Sequence, residues 1–163
     1  MGLSEIAAGI EVTDHQEQRS VATVDETDTT LADRLEPFAE SLPCSPAEAA
    51  AVLERYSEGG SVGESGRTAG VAPTTAAKTL HLLGESVSPL GPTGREIVGD
   101  YLDGRLSRSE ALGLTRVGDE SFALAVYVET HEPLEEACEA VEGFLAARHS
   151  ESVTEGIGLS GLR

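Results

Sequence analysis

Arg67, Thr74, Thr75, Lys78 and His81 bring a guanidinium, two hydroxyls, an ammonium and an imidazole into one short stretch with no carboxylate between them. Four of them, Thr74, Thr75, Lys78 and His81, fall at helical spacing. That spacing puts them on one face of a helix while Leu80 and Leu83 turn inward. Lysine can meet a phosphate or a guanine edge and threonine a phosphate or a thymine methyl; Arg67 is placed for the nucleic-acid backbone. From Ser65 to Gly84 there is no Asp or Glu, in a chain with 29 acids over 163 residues. A carboxylate close to a phosphate backbone repels it, so the spared interval is one where a polyanion could approach. A buried hairpin would exclude acids equally well, because charge is costly to desolvate. The interval is near neutral rather than basic: residues 59–84 set Glu64 against Arg67 and Lys78, in a chain of net charge −18.

Other chemistries are poorly supported. Five glycines between Gly59 and Gly70 suggest a phosphate-cradling loop, but Ser61 replaces the first Gly and Arg67 the Lys of that pattern, and no hydrophobic strand precedes it. His15, His81, His131 and His149 are scattered, and His131 to Cys138 fits no common ligand spacing. Neither a metal site nor a cofactor is expected. Cys44 and Cys138 lack redox or metal spacing and are expected to be small, buried apolar groups. No residue is marked as a general base, and the carboxylates look like a hydrated surface. An enzyme is not expected.

Helix-start signals dominate the elements that must position these residues. Ser45 with Glu48, Ser61 with Glu64, Thr93 with Glu96 and Ser107 with Glu110 repeat the three-residue offset of a capping box, and Pro46 follows the first of them. Further starts are predicted at Pro73 and Asp119. Ala49, Val52, Leu53 and Tyr56, and then Ile97, Val98, Tyr101 and Leu102, recur at helical spacing; "FALAVYV" reads as a buried helix. The fold class is all-α. "YSEGGSVGESGRTAGV" from Tyr56 and "YLDGRLSRSEALGLTRV" from Tyr101 share a Tyr, a Gly, a Ser-x-x-Glu box and a Val. They form an approximate internal repeat, or two hairpins that use the same capping grammar. The expected organisation is an acidic N-terminal segment over 1–30, an all-α domain over 31–148 and a flexible tail over 149–163. A helix from Leu31 to Ser41 opens the domain, a helical pair spans about 61–84, and a second unit spans about 93–131.

"SVGESGRTAGVAPTTAAKTLHLLG" resembles the helix-turn-helix units of transcriptional regulators. Gly70 stands as the turn glycine, Val71 as the apolar plug, Gly66 at the helix crossing, and Pro73 to Leu83 as the recognition helix. Gly66 and Ala76 depart from the pattern, which usually has Ala and a larger aliphatic residue there. The resemblance implies a regulator or chromosome-associated protein that binds double-stranded DNA through Arg67, Thr74, Thr75, Lys78 and His81. Such a protein would be a homodimer, with the apolar C-terminal helices, Phe122 to Ala147, as the interface. The second unit looks like the short helical modules of antitoxin-like and regulator proteins, but its last helix offers Phe122, Leu124, Val126 and Val128 in place of base-reading groups. A helical protein–protein adaptor without DNA contact, and a nucleotide-responsive protein using the Gly-rich segment, are the alternatives.

The composition has one Lys against ten Arg, no Trp and 4% aromatic residues. It resembles that of cytosolic proteins of salt-accumulating haloarchaea, whose acidic surfaces keep them hydrated. At about 1 M salt the Debye length is only ~3 Å, so long-range repulsion from DNA would largely vanish. No signal peptide is visible, Ile6 breaks a myristoylation pattern, and the run from Phe122 to Val128 is far too short to span a bilayer. A cytoplasmic location is expected, with no membrane partner.

Overall fold

The computed structural model describes the backbone of residues 29–161 and the side chains of residues 29–149. The chain divides into a unit of residues 1–30 and a unit of residues 31–163. The expectations for residues 1–28 lie outside the described residues. Among the described residues every regular element is helical: α1 (Leu31–Leu35), α2 (Pro46–Ser57), α3 (Val62–Ala69), α4 (Pro73–Leu82), α5 (Pro92–Leu102), α6 (Arg108–Thr115), α7 (Asp119–Thr130) and α8 (Glu135–Gly161). The fold is all-α.

Three of the four capping boxes form. Ser45, Ser61 and Ser107 each accept the amide of the glutamate three residues on, and each glutamate carboxylate accepts the serine's own amide at 2.8–2.9 Å. The fourth does not, because Pro92 starts α5 after Gly91 and leaves Thr93 inside the first turn, with no side-chain cap. The helix expected from Leu31 to Ser41 stops at Leu35 and gives way to a 3-10 turn, Glu36–Phe38. Pro37 has no amide to donate and its ring would clash with a carbonyl one turn back. At the other end, α8 continues to Gly161, past residue 149 where a loose tail was expected. No proline interrupts it, and each glycine costs a helix only about 1 kcal/mol.

The internal repeat is structural. In α2–α3–α4 and again in α5–α6–α7, a first helix carries Tyr56 or Tyr101 in its last turn and ends before a glycine of positive φ, Gly59 at 97° and Gly104 at 76°. A capping-box helix follows, closed by a left-handed residue, Gly70 (φ 73°) or Arg116 (φ 57°). Val71 or Val117 then leads into the third helix. Each triple has a core of its own. The first gathers Val52, Leu53, Ala76 and Leu80 with Leu31 and Leu35 of α1 and Ala137 and Val141 of α8. The second gathers Leu90, Val98, Ala111 and Ala125 around Phe122, which is fully buried and meets Tyr101 edge-on at 5.4 Å. The triples join where α4 packs on α7.

Candidate functional site

The α3–α4 pair is built around close approach. A Cβ on Gly66 would lie 3.0 Å from the Val71 carbonyl oxygen and 3.4 Å from Ala76 Cβ, so a larger residue would need the crossing to open by a few tenths of an ångström. Gly70 takes the left-handed conformation, and the Val71 amide turns back to the Gly66 carbonyl at 2.9 Å, closing the end of α3. Val71 packs against the first core. Ser65 is buried and donates its hydroxyl to the Ser61 carbonyl at 2.8 Å.

The five residues expected to form one contact surface separate. Arg67 is exposed on α3. Thr74 and Thr75 are half-buried at the start of α4. Lys78 is half-buried too, its ammonium 4.8 Å from the centre of the Tyr127 ring. His81 is buried at 9% exposure, and its Nε2–H donates to the His131 carbonyl at 2.6 Å. The imidazole also meets Tyr127 edge-on at 6.5 Å, and Tyr127 in turn stacks on His131 at 3.9 Å. His81 does not therefore face away from Leu80 and Leu83 into solvent. The expectation of a single packed side failed because α4 has two: α2 and α3 cover one and α7 the other. Ala76, Ala77, Thr79, Leu80, His81 and Leu82 are all buried as a result. The start of α8 docks here as well, with the Leu134 amide on the Leu82 carbonyl at 2.9 Å.

Tyr127 and His131 are the partners that periodicity did not reveal. They lie in and just after the apolar run of α7, where a continuous hydrophobic stretch hides which face meets which neighbour. Burial pushes the Tyr127 hydroxyl above its ordinary pKa.

Where the first turns of α3, α4 and α7 converge on the 86–89 connection there is an open cleft of about 410 Å³. Tyr56, Val62, Pro73, Ala77, Val87 and Leu124 give it apolar walls, and Thr74, Ser88, Ser121 and Glu120 add polar groups. Its size falls in the range of small-ligand and side-chain pockets, about 300–1,000 Å³.

The glycines of the α3 region serve helix ends and the α3–α4 crossing. The Glu64 amide at the start of α3 is already taken by Ser61, which leaves less for a phosphate to bind. Cys44 and Cys138 are half-buried. Cys44 Sγ lies 3.3 Å from Thr79 Oγ1, and burial, the larger influence, raises its pKa. Cys138 points to the Leu82 carbonyl at 3.6 Å and is raised by burial likewise. Among the described residues no three His, Cys, Asp or Glu side chains gather as a metal site, and no helix is long and apolar enough to cross a membrane.

A model of a family of unknown function, DUF7858, matches residues 1–160. No curated protein and no solved structure matches the chain.

Proposed function

We propose that this chain, which belongs to that family of unknown function, is a non-enzymatic helical adaptor that holds another protein at the cleft beside α4. The engagement of His81 and Lys78 within the chain carries this reading. To present them to DNA, the protein would give up the His81–His131 hydrogen bond and the Lys78–Tyr127 contact, each worth about 1 kcal/mol. A good side chain–base pair returns about 1–3 kcal/mol, so that loss cancels a large part of what the two residues would gain. The cleft, in contrast, is open without rearrangement and mostly apolar. A cytoplasm of high salt suits the composition, since 29 carboxylates with one lysine make a strongly hydrated surface.

A DNA-binding transcriptional regulator or chromosome-associated protein is the second reading. Exposed Arg67 and half-exposed Thr74 and Thr75 at the α3–α4 turn favour it, as does the near-neutral charge of residues 59–84. Lys78 and His81 would complete the contact set after rotating out.

Selection from randomised duplex DNA at about 1 M KCl, where long-range repulsion is screened, separates the two. The adaptor reading expects no enriched sequence and equal retention of wild type and Lys78→Glu. An enriched site whose binding is lost in Lys78→Glu refutes it. On the protein side, a photoreactive residue at Val87 is expected to cross-link a defined partner. Once that partner is purified, Leu124→Glu should abolish its binding.

A further inference from the structure

The described residues expose two large hydrophobic side chains, and both belong to the second helical triple: Leu102 at 43% and Leu114 at 57%. Leu114 forms a ridge on α6 between two shallow hollows. One, of about 420 Å³, is lined by Leu106, Ser109, Glu110 and Gly113, with Leu114 itself as a wall. The other, of about 360 Å³, includes Leu90, Ile97 and Val117. A Cβ on Gly113 would meet nothing within 4 Å, so the floor of the first hollow is open to an incoming group.

We propose that this α5–α6 face is a homodimer interface, in which Leu114 of each copy seats in the Gly113 hollow of the other. A protrusion and a hollow side by side on one face satisfy each other when a two-fold axis relates the copies, because each residue contact then occurs twice. Charge permits the same face. The chain carries −18, so most faces would bring two negative surfaces together. Over residues 100–118, however, Asp100, Asp103 and Glu110 are balanced by Arg105, Arg108 and Arg116. Two of those arginines already hold exposed carboxylates, Arg105 on Asp100 at 3.2 Å and Arg108 on Asp119 at 3.0 Å. Exposed pairs of that kind are weak enough to exchange partners across an interface.

The first triple shows the contrast. With the capping serines Ser61 and Ser107 in register, Arg67 and Thr68 stand where the second triple has Gly113 and Leu114. Both of those positions are polar and exposed. The C-terminal helices are a weaker choice of interface than their sequence suggested, since Phe122, Ala125, Ala137 and Val141 are buried within the chain. Dimerisation through α6 stands independently of the adaptor reading.

Sedimentation equilibrium of the full chain, in dilute and in about 1 M KCl, tests this. Wild type is expected to be a reversible dimer that persists in high salt. Leu114→Glu puts an acid on the ridge, and Gly113→Trp fills the hollow without disturbing the helix. Each is expected to weaken the dimer by at least about 30-fold, as loss of a central interface anchor does, with helical circular dichroism unchanged. Thr68→Glu, at the matching position of the first triple, should leave the mass unaltered. A wild type that stays monomeric, a dimer that survives either α6 substitution, or equal disruption by Thr68→Glu overturns the proposal.

Discussion

His81 offers the sharpest test of how α4 is used. His81→Phe keeps an aromatic ring against Tyr127 but removes the donor that reaches the His131 carbonyl at 2.6 Å. Hydrogen bonds contribute about 0.5–1.5 kcal/mol net, and because His131 is exposed its carbonyl can recover a water, so a loss of about 1 kcal/mol is expected. His81→Ala removes the ring as well. Large-to-small changes in a core cost about 2–5 kcal/mol, and a site that keeps 9% exposure belongs near the lower end, about 2–3 kcal/mol. At roughly 4 °C per kcal/mol for a domain of this size, Tm should fall by about 4 °C for His81→Phe and about 10 °C for His81→Ala. Thermal unfolding followed by circular dichroism at fixed salt reads both. If both variants melt with the wild type, the imidazole is not enclosed, α4 has a free reading face, and the case against DNA contact collapses. A base-reading histidine predicts that opposite pattern: unchanged Tm and weakened DNA binding.

The left-handed closures provide a matched pair: Arg116→Gly should stabilise by about 0.5–1 kcal/mol by relieving a positive φ, while Gly70→Ala should destabilise by about 1 kcal/mol, both read from urea midpoints. Gly66→Ala brings a Cβ to 3.0 Å from the Val71 carbonyl oxygen, so it should cost about 1–3 kcal/mol, although alanine is the better helix former. The carboxyls of Glu64 and Glu110 are held below their ordinary pKa by the serine amides they cap. Their contribution is therefore complete above the usual carboxylate range and lost as pH falls through the lowered values. The stability difference between wild type and Glu64→Ala should be largest near neutrality and narrow in acid, as the carboxylate that accepts the Ser61 amide is protonated. Cys44 and Cys138, raised by burial, should alkylate slowly at mildly alkaline pH and rapidly once urea exposes them.

Local chemistry was the legible part of the fold. Serine and glutamate at a three-residue offset need only their own backbone to form a box, and three such pairs started helices where expected. Thr93 and Glu96 failed for an equally local reason, since Pro92 claimed the first turn. The repeat was readable because its markers are positions that only certain residues fill: a left-handed glycine, a cap, a small residue at a crossing. Arg116 shows the limit of that reading, since a cation occupies the conformation for which Gly70 is the natural choice. Side-chain destinations were less legible. Spacing placed His81 opposite Leu80 and Leu83, but whether a second helix lies on that side is a tertiary fact. Nothing in residues 73–83 announces that α7 will cover them.

The interval free of acids now has a cause within the fold. From Ser65 to Gly84 the chain supplies the α3–α4 crossing and then a helix packed by α2, α3 and α7, with the start of α8 at its end. Ser65, Gly66, Ala76, Ala77, Thr79, Leu80, His81, Leu82 and Leu83 are buried. An ionised carboxylate at any of them would lose its hydration without a partner, a cost of several kcal/mol in a domain whose net stability is only about 5–15 kcal/mol. Hydrophobic packing thus keeps acids out of those nine positions, and leaves the exposed stretch around Arg67, Thr68, Gly70, Ala72 and Pro73 as the part of the gap that packing does not explain. Position 78, at the edge of the packing, is different: a lysine there can rest on the Tyr127 ring while keeping its ammonium in water, whereas the negative face of that ring would repel a carboxylate. The one lysine of the chain is accounted for by a neighbouring ring, with no phosphate required.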